Sequence, residues 1–202
     1  MTLYDRLPDG VTVDGRFYKL DFDFRNVLRM MDTLDRDDLI DGAREYLALK
    51  CLTKRPRNVG KVLPAVRALL FQRDGNSGKG QQKQTDKVTS FEQDAGMIRA
   101  AFLQVYRIDL FTVKMHWLQF SELLRNLPDG NRYTETVSIR CRPIPAPTKY
   151  NAKEREWLIK AKAQCKLYLT EKEAKRQYTQ DIGNVFAGLM AMMQKDVNNN
   201  GK

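Results

Sequence analysis

Few side chains in this sequence are suited to catalysis, and their spacing matches no known catalytic set. His116 is the only histidine among 202 residues, and it stands between Met115 and Trp117 in the most apolar stretch. A general base must face a converging acid or nucleophile, so we expect His116 to be a packed core residue instead. No motif of nucleophilic or metal-dependent catalysis is present. The sequence therefore predicts a protein that is not an enzyme and has no catalytic residue.

Metal and cofactor sites are not predicted either. Cys51, Cys141 and Cys165 form no CxxC pair, so we expect free thiols in a reducing compartment and no zinc site. The aspartates between residues 32 and 41 lack the glycine and the terminal glutamate of a calcium loop, and helix capping and a solvated helix face explain them more simply. Residues 75–80, GNSGKG, have neither the spacing nor the preceding strand of a phosphate-binding loop.

Charge is unevenly distributed along the chain. The net charge is +10, yet residues 1–50 hold 8 basic and 11 acidic side chains. Residues 51–89 hold 9 basic and 2 acidic side chains, and residues 131–202 hold 14 and 7. A positive field of this size favours acidic partners or nucleic acid, although solvated helix faces have the same composition. Because no nucleic-acid-binding motif is present, we expect no sequence-specific contact with nucleic acid.

The N-terminal elements follow from local signals. Alternating apolar residues around Asp14-Gly15 predict a β-hairpin at 11–20, which either covers its own helices or adds its edge to the sheet of a neighbouring subunit. Asp23 is the predicted N-cap of a helix at 24–34. A second helix is predicted to begin near Arg36 to Asp38 and to reach Cys51, where acidic residues suit its first turn. A third helix includes Val66 and Leu70, with Pro64 in its first turn.

The centre of the chain predicts two packed helices. Residues 73–89 are polar and glycine-rich, and they predict a flexible loop. Ser90 and Gln93 have the spacing of a capping box, and apolar residues then recur at helical spacing to Val105. A short turn and a second, almost wholly apolar helix from Val113 to Leu127 complete the pair. Such helices belong in the core of the protein.

The C-terminal third predicts three more helical segments and a stiff connection. Residues 133–140 are expected to add one or two helical turns, and the prolines at 142–148 predict an extended spacer. A basic helix at about 152–168 is predicted to be capped by Asn151 and Glu154. The last predicted helix, within 171–202, carries an apolar stripe that either completes the core or binds a partner, namely Ile182, Val185, Phe186, Leu189, Met190 and Met193.

Together these elements predict a mainly α-helical protein. We expect a bundle of about six helices with a short N-terminal hairpin in residues 1–170, and a separable amphipathic helix with a frayed tail in residues 171–202. No apolar run is long enough to span a membrane, and the first residues do not form a signal peptide. The sequence therefore predicts a soluble, intracellular protein.

Three runs of the sequence resemble one protein family. The runs LPDGVTVDGRFYKLDFDFRNVLRM, SFEQDAGMIRAAFLQVYRIDL and HWLQFSELLRNLP are similar to the bacteriophage gene-product-fifteen family, and the resemblance covers about residues 5–170. Genes of this family lie in the tail-gene cluster of phages of mainly Gram-positive bacteria, usually between the genes of the major tail protein and the tape-measure protein. The resemblance implies a fold and a genetic context and brings no catalytic residue.

That context implies a role in tail assembly. A protein of this kind is expected to act as a chaperone that binds the tape-measure protein before the tail tube polymerises, in the cytoplasm of the host bacterium. Contact with the tail-tube protein and self-association are further expectations, and contact with membranes is not expected. The alternative is a minor structural protein, for tail completion or connection, that stays in the virion.

Overall fold

The computed structural model describes residues 4–71 and 88–168. Most of the predicted loop at 73–89 and the whole predicted helix at 171–193 lie outside these residues. The described part is mainly α-helical, as predicted, with a two-stranded antiparallel hairpin followed by seven helices. Within these ranges no helix has both the length and the apolar character needed to cross a membrane.

The predicted hairpin is present. Strands β1 (Gly10–Val13) and β2 (Arg16–Lys19) pair in antiparallel register, with Val11 opposite Tyr18 and Val13 opposite Arg16. Asp14 and Gly15 both have positive φ, at 50° and 72°, which is the backbone of the tight two-residue turn that their sequence predicts. Val11 is buried in the core, so the hairpin covers its own helices. The outer edge of β2 pairs with no other strand in the described residues.

Helix α1 (Phe24–Leu34) has the predicted bounds and the predicted N-cap. The side chain of Asp23 accepts a hydrogen bond from the backbone N–H of Arg25. Because that contact spans two residues, local sequence is sufficient to predict it.

Helices α2 and α3 correct two predictions. Helix α2 (Asp41–Lys50) begins later than predicted, because the side chains of Arg36 and Asp38 pair with each other in the turn before it. Side chains two residues apart do not face each other on a helix, so this pair is compatible only with a non-helical segment. Helix α3 (Val59–Phe71) begins well before Pro64, so the proline lies inside the helix and not in its first turn. There it deprives the carbonyl of Gly60 of its intrahelical donor.

The central pair is formed by helix α4 (Ala95–Tyr106) and helix α5 (Trp117–Arg125). Their connection, residues 107–116, is longer than the predicted short turn, because α4 ends at Arg107 in the left-handed conformation and α5 begins only after His116. At its other end α4 is preceded by a turn at residues 91–94. In this turn the hydroxyl of Ser90 accepts a hydrogen bond from Gln93 N at 3.3 Å. The reciprocal bond comes from Asp94, which accepts from Ser90 N at 3.0 Å, so the predicted role of Gln93 is wrong.

Stacked aromatic rings form the centre of the core. The ring of Phe120 on α5 stacks on Phe24 at 4.7 Å and on Phe102 at 5.3 Å between centroids. The beginnings of α1 and α5 are joined by backbone hydrogen bonds, from Phe24 N to Met115 O at 2.9 Å and from Trp117 N to Phe22 O at 2.8 Å. Hydrophobic burial and backbone pairing therefore fix α1, α4 and α5 relative to one another.

Helices α6 (Arg132–Cys141) and α7 (Ala152–Cys165) pack together. Helix α6 is longer than the predicted one or two turns, and α7 ends before the predicted residue 168. The segment 142–148 is non-helical, as predicted. Asn151 does not cap α7 with its side chain, which instead donates to Ala146 O at 2.8 Å and accepts from Thr148 N at 2.9 Å. The amide is engaged in ordering the preceding loop, so the predicted capping box does not form.

A buried ion pair ties α6 and α7 to the start of α4. The guanidinium of Arg140 donates to both carboxylate oxygens of Asp94, at 2.8 and 2.9 Å, and the two side chains are 11% and 1% exposed. The same guanidinium donates to Val88 O at 2.9 Å and to Cys165 O at 2.6 Å. One side chain thus satisfies acceptors from three separate segments of the chain, which orients α7 against the core.

Candidate partner-binding surface

An apolar concavity lies between α1, α4, α5 and the connection 107–116, and we call it the apolar groove. Its volume is about 220 Å³. Its lining is mostly aromatic and aliphatic, with two arginines, and comprises Phe24, Arg25, Leu28, Phe91, Ala95, Ile98, Arg99, Leu110, Phe111 and Phe120. Concave sites lined by apolar side chains with few polar groups are typical of binding surfaces.

Arg25 shapes one wall of the apolar groove. Its guanidinium donates to the carbonyls of Leu110, Phe111 and Val113 at 2.7, 3.1 and 2.8 Å. These carbonyls belong to a turn that Asp109 organises, since its carboxylate accepts from Phe111 N at 2.8 Å. The connection is therefore held against α1 by charge-assisted hydrogen bonds, and its shape is set before any partner arrives.

One residue in the groove lining and one residue near it on α4 are exposed apolar side chains. Phe111 is 72% exposed, and the guanidinium of Arg99 lies over its ring at 4.6 Å from the centroid. Leu103, one turn beyond Arg99 on α4, is 53% exposed. An exposed aromatic ring next to an apolar groove is the kind of side chain that anchors a partner.

The two charged residues in the lining of the apolar groove are both arginines. Arg25 donates to the carbonyl of Phe111, and the guanidinium of Arg99 lies over the ring of Phe111. Asp32 follows Arg25 by two helical turns on α1, and Glu92 adjoins Phe91, but neither acid belongs to the lining. Burial raises the pKa of Asp32, and the carboxylates of Glu92 and Asp35 raise it further.

His116 was predicted to lie inside the most apolar helix, and that position is wrong. It is the half-buried N-cap of α5, where Nδ1 accepts from Leu118 N at 3.1 Å. Nε2 therefore carries the proton and donates to Pro8 O at 3.0 Å. Both ring nitrogens are engaged in structure, which links the N-terminal segment to the start of α5.

Three of the clustered aspartates, Asp37, Asp38 and Asp41, lie before and at the start of α2 and pair with arginines, while Asp32 lies in α1 and Asp35 is its C-cap. Asp38 pairs with Arg36, while Asp37 and Asp41 pair with Arg44. Among the described residues, no three histidine, cysteine, aspartate or glutamate side chains come together in a way that would hold a metal ion.

The predicted partner-binding residues lie outside the described part of the chain. They remain a prediction from the sequence, and the set is Ile182, Val185, Phe186, Leu189, Met190 and Met193.

The apolar groove itself was not predicted from the sequence. Residues 107–112 were assigned to a short turn, so Phe111 was not considered as a surface residue. The available signal was an aromatic residue between Asp109 and Thr112, outside the apolar seam of either helix. That signal predicts an exposed ring, but it does not predict that α1 forms the opposite wall of the apolar groove.

The comparisons with known proteins identify a family. The family model described as Bacteriophage Gp15 protein matches residues 3–167, which include both strands and all seven described helices. No curated protein and no solved structure matches the chain.

Proposed function

Because this chain belongs to the Bacteriophage Gp15 protein family, and so to the structural, tail-region proteins of phages, we propose that it assembles the tail as a chaperone. Its client is the tape-measure protein, which it binds before the tail tube polymerises. It acts by binding and not by catalysis, in the cytoplasm of the infected host. The genetic context that the family resemblance implies, next to the tape-measure gene, supports this choice of client.

The observation that carries the proposal is the apolar groove. Tape-measure proteins are long helices, and a helix that carries an apolar stripe is bound by laying that stripe in a hydrophobic groove. Phe111 lines the groove and is exposed, Leu103 is exposed one helical turn from the lining residue Arg99, and Arg25 holds the wall in place. Removing an exposed aromatic anchor from such an interface costs about 2 kcal/mol or more of binding free energy.

A co-purification experiment tests the groove. The protein is co-expressed with helical fragments of the tape-measure protein, and the captured fragment is quantified. Phe111→Asp with Leu103→Asp is expected to reduce capture at least tenfold. The matched control is Ile40→Asp, which also places a carboxylate at an exposed apolar position, 79% exposed, away from the groove. Equal capture by the groove variant and the control would rule out the groove as the binding surface.

The predicted C-terminal stripe is tested separately. Phe186→Asp with Leu189→Asp is expected to weaken capture of the same fragments while thermal stability is unchanged. Equal loss of stability in this variant would show that the stripe belongs to the core.

Quantitative mass spectrometry of virions and of infected-cell lysate distinguishes the chaperone from the alternative, a minor structural protein. Abundant peptides in lysate with none in purified virions agree with a chaperone that leaves as tube subunits add. Stoichiometric peptides in the virion would overturn the chaperone and establish a tail component.

A further inference from the structure

A second concavity, which borders the hairpin, is strongly basic, and we call it the basic pocket. It lies between strand β2 and the segment that leads into α3, with a volume of about 280 Å³. Four cationic side chains line it, and none of its lining residues is acidic; the cations are Arg16, Lys19, Arg55 and Arg57.

The walls of the basic pocket are fixed by the core. Leu20, Leu49 and Val62 line its floor and are buried. Just after β2, Asp21 N donates a backbone hydrogen bond to Leu52 O at 2.9 Å, which joins the hairpin to the end of α2. The pocket is therefore formed without a ligand, and a ligand need not supply the free energy of ordering it.

Three of the four cations of the basic pocket have no carboxylate partner within residues 4–71 and 88–168. In the part of the chain that the structure describes, no carboxylate pairs with Lys19, Arg55 or Arg57. The nearby carboxylate of Asp14 is engaged by Lys61 at 2.7 Å. Residues 51–71 hold five basic side chains and no acidic one. Such a concentration of one sign of charge attracts anions and is relieved by binding them.

The free edge of β2 adds backbone donors. Leu20 N donates to Asp9 O at 2.8 Å, so the hydrogen-bonded pairs of the hairpin are those of Leu20, Tyr18 and Arg16. The N–H groups of Phe17 and Lys19 therefore point away from β1, along the side of β2 that borders the pocket. Backbone N–H groups beside guanidinium groups are the usual donors to phosphate oxygens.

Phe17 provides a flat surface at the mouth of the basic pocket. It is 54% exposed although it belongs to a strand. Its ring lies close to Gly10, where an added Cβ would approach Cζ of Phe17 to 2.7 Å. The ring can occupy this position because residue 10 has no side chain. Exposed aromatic rings beside a basic groove are the platforms on which unpaired bases stack.

We propose that the basic pocket binds single-stranded nucleic acid, with the phosphodiester backbone on Arg55, Arg57 and Lys19 and a base stacked on Phe17. Guanidinium groups match phosphate in geometry, and the exposed ring distinguishes a nucleic acid from an acidic peptide as ligand. The pocket lining has no arrangement that reads base edges, so binding is independent of sequence. This site is separate from the apolar groove and does not depend on the proposed chaperone function.

Fluorescence anisotropy with a labelled oligo-dT tests the proposal. Three phosphate contacts on a single strand, those of Arg55, Arg57 and Lys19, predict a slope of log K against log salt of about −2.1. Arg55→Ala with Arg57→Ala is expected to weaken binding at least tenfold at low salt and to reduce that slope to about −0.7. Phe17→Ala is expected to weaken binding about fivefold or more with the slope unchanged, because it removes stacking and no charge. All three side chains are exposed, so these substitutions leave the core intact.

The matched control is Lys153→Ala with Lys166→Ala, which removes the same charge from exposed positions in and just after α7. Unchanged binding in this control supports the proposal. Equal weakening in the control and in the pocket variant would overturn it, because the effect would then come from the net charge alone. Competition by a polyglutamate peptide as strong as that by unlabelled oligo-dT at equal charge would also overturn it, in favour of an acidic protein ligand. Full displacement of the labelled oligo-dT by millimolar inorganic phosphate would also overturn the proposal and would show that the pocket binds small anions.

Discussion

Replacing Arg140 is the sharpest test of how the C-terminal helices are attached. In Arg140→Met the long apolar stem is kept and the guanidinium is lost. Asp94, which is 1% exposed, would then keep a buried charge with Ser90 N, at 3.0 Å, as its remaining hydrogen-bond donor. The carbonyls of Val88 and Cys165 would lose their donor as well.

The expected loss is large compared with the stability of a single domain. Removing one member of a buried ion pair destabilises a protein by about 3–5 kcal/mol, because the other charge is left uncompensated. Small domains have about 5–15 kcal/mol in total. The matched control is Lys160→Met, since Lys160 pairs with Glu156 on the exposed face of α7 at 2.6 Å. An exposed pair of this kind contributes about 0.5 kcal/mol.

Urea denaturation followed by circular dichroism measures both variants. The midpoint of Arg140→Met is expected to fall strongly and that of Lys160→Met hardly at all. Adding Asp94→Asn to Arg140→Met removes the stranded charge and keeps an acceptor for Ser90 N, so about 1–3 kcal/mol is expected to return. A loss below about 1 kcal/mol in Arg140→Met, or no recovery in the double variant, would refute the reasoning.

Three further predictions concern local features. Gly15→Val is expected to cost about 1–2 kcal/mol in thermal denaturation, because the residue must keep a positive φ of 72°, and an unchanged melting temperature would contradict this. Asp23→Ala removes the N-cap bond and the acceptor of Met115 N, at 3.3 Å, and should cost about 1–2 kcal/mol, whereas Asp23→Asn should retain most of that stability. Burial raises the pKa of Tyr133, and Asp94 raises it further while an arginine opposes the change. The neutral phenol is therefore favoured in the folded state, so its stabilising contribution is complete below about pH 10 and is lost as pH rises through the raised folded pKa. Tyr133→Phe is expected to remove that part of the pH dependence, and identical pH profiles of unfolding for the two proteins would show that the phenol does not contribute.

Local features were predicted well because their causes lie within a few residues. Asp23 bonds to the backbone only two positions ahead, and Asp14 and Gly15 themselves adopt the positive φ angles that close their turn. Both predictions needed only the preferences of short polar residues and glycine. The start of α2 was predicted wrongly even though its cause is local, because Arg36 and Asp38 pair with each other instead of joining the helix.

The candidate sites were predicted less well. The sequence showed that residues 51–89 are basic, but it did not show that β2 would bring Arg16, Lys19 and Phe17 beside Arg55 and Arg57. Likewise, Phe111 and the wall of α1 that holds it are joined by Arg25, more than eighty residues earlier in the chain. A periodic pattern identifies the face of one helix and does not say which loop will lie against it.

By itself the sequence determined the type and order of the described strands and helices, the apolar centre and the family, since each depends on residue types at short or regular spacing, but it did not determine where every helix begins and ends. Only the tertiary structure decided which partners meet across long separations. Arg140 pairs with Asp94 across 46 positions, and Gln93 bonds to the backbone of Tyr168 across 75. The chain has many arginines and acids, and the entropy of closing a loop changes slowly with its length, so spacing does not favour one pairing over another. The packing of the core selects the pairing, because it brings only certain charges to within hydrogen-bonding distance and out of water.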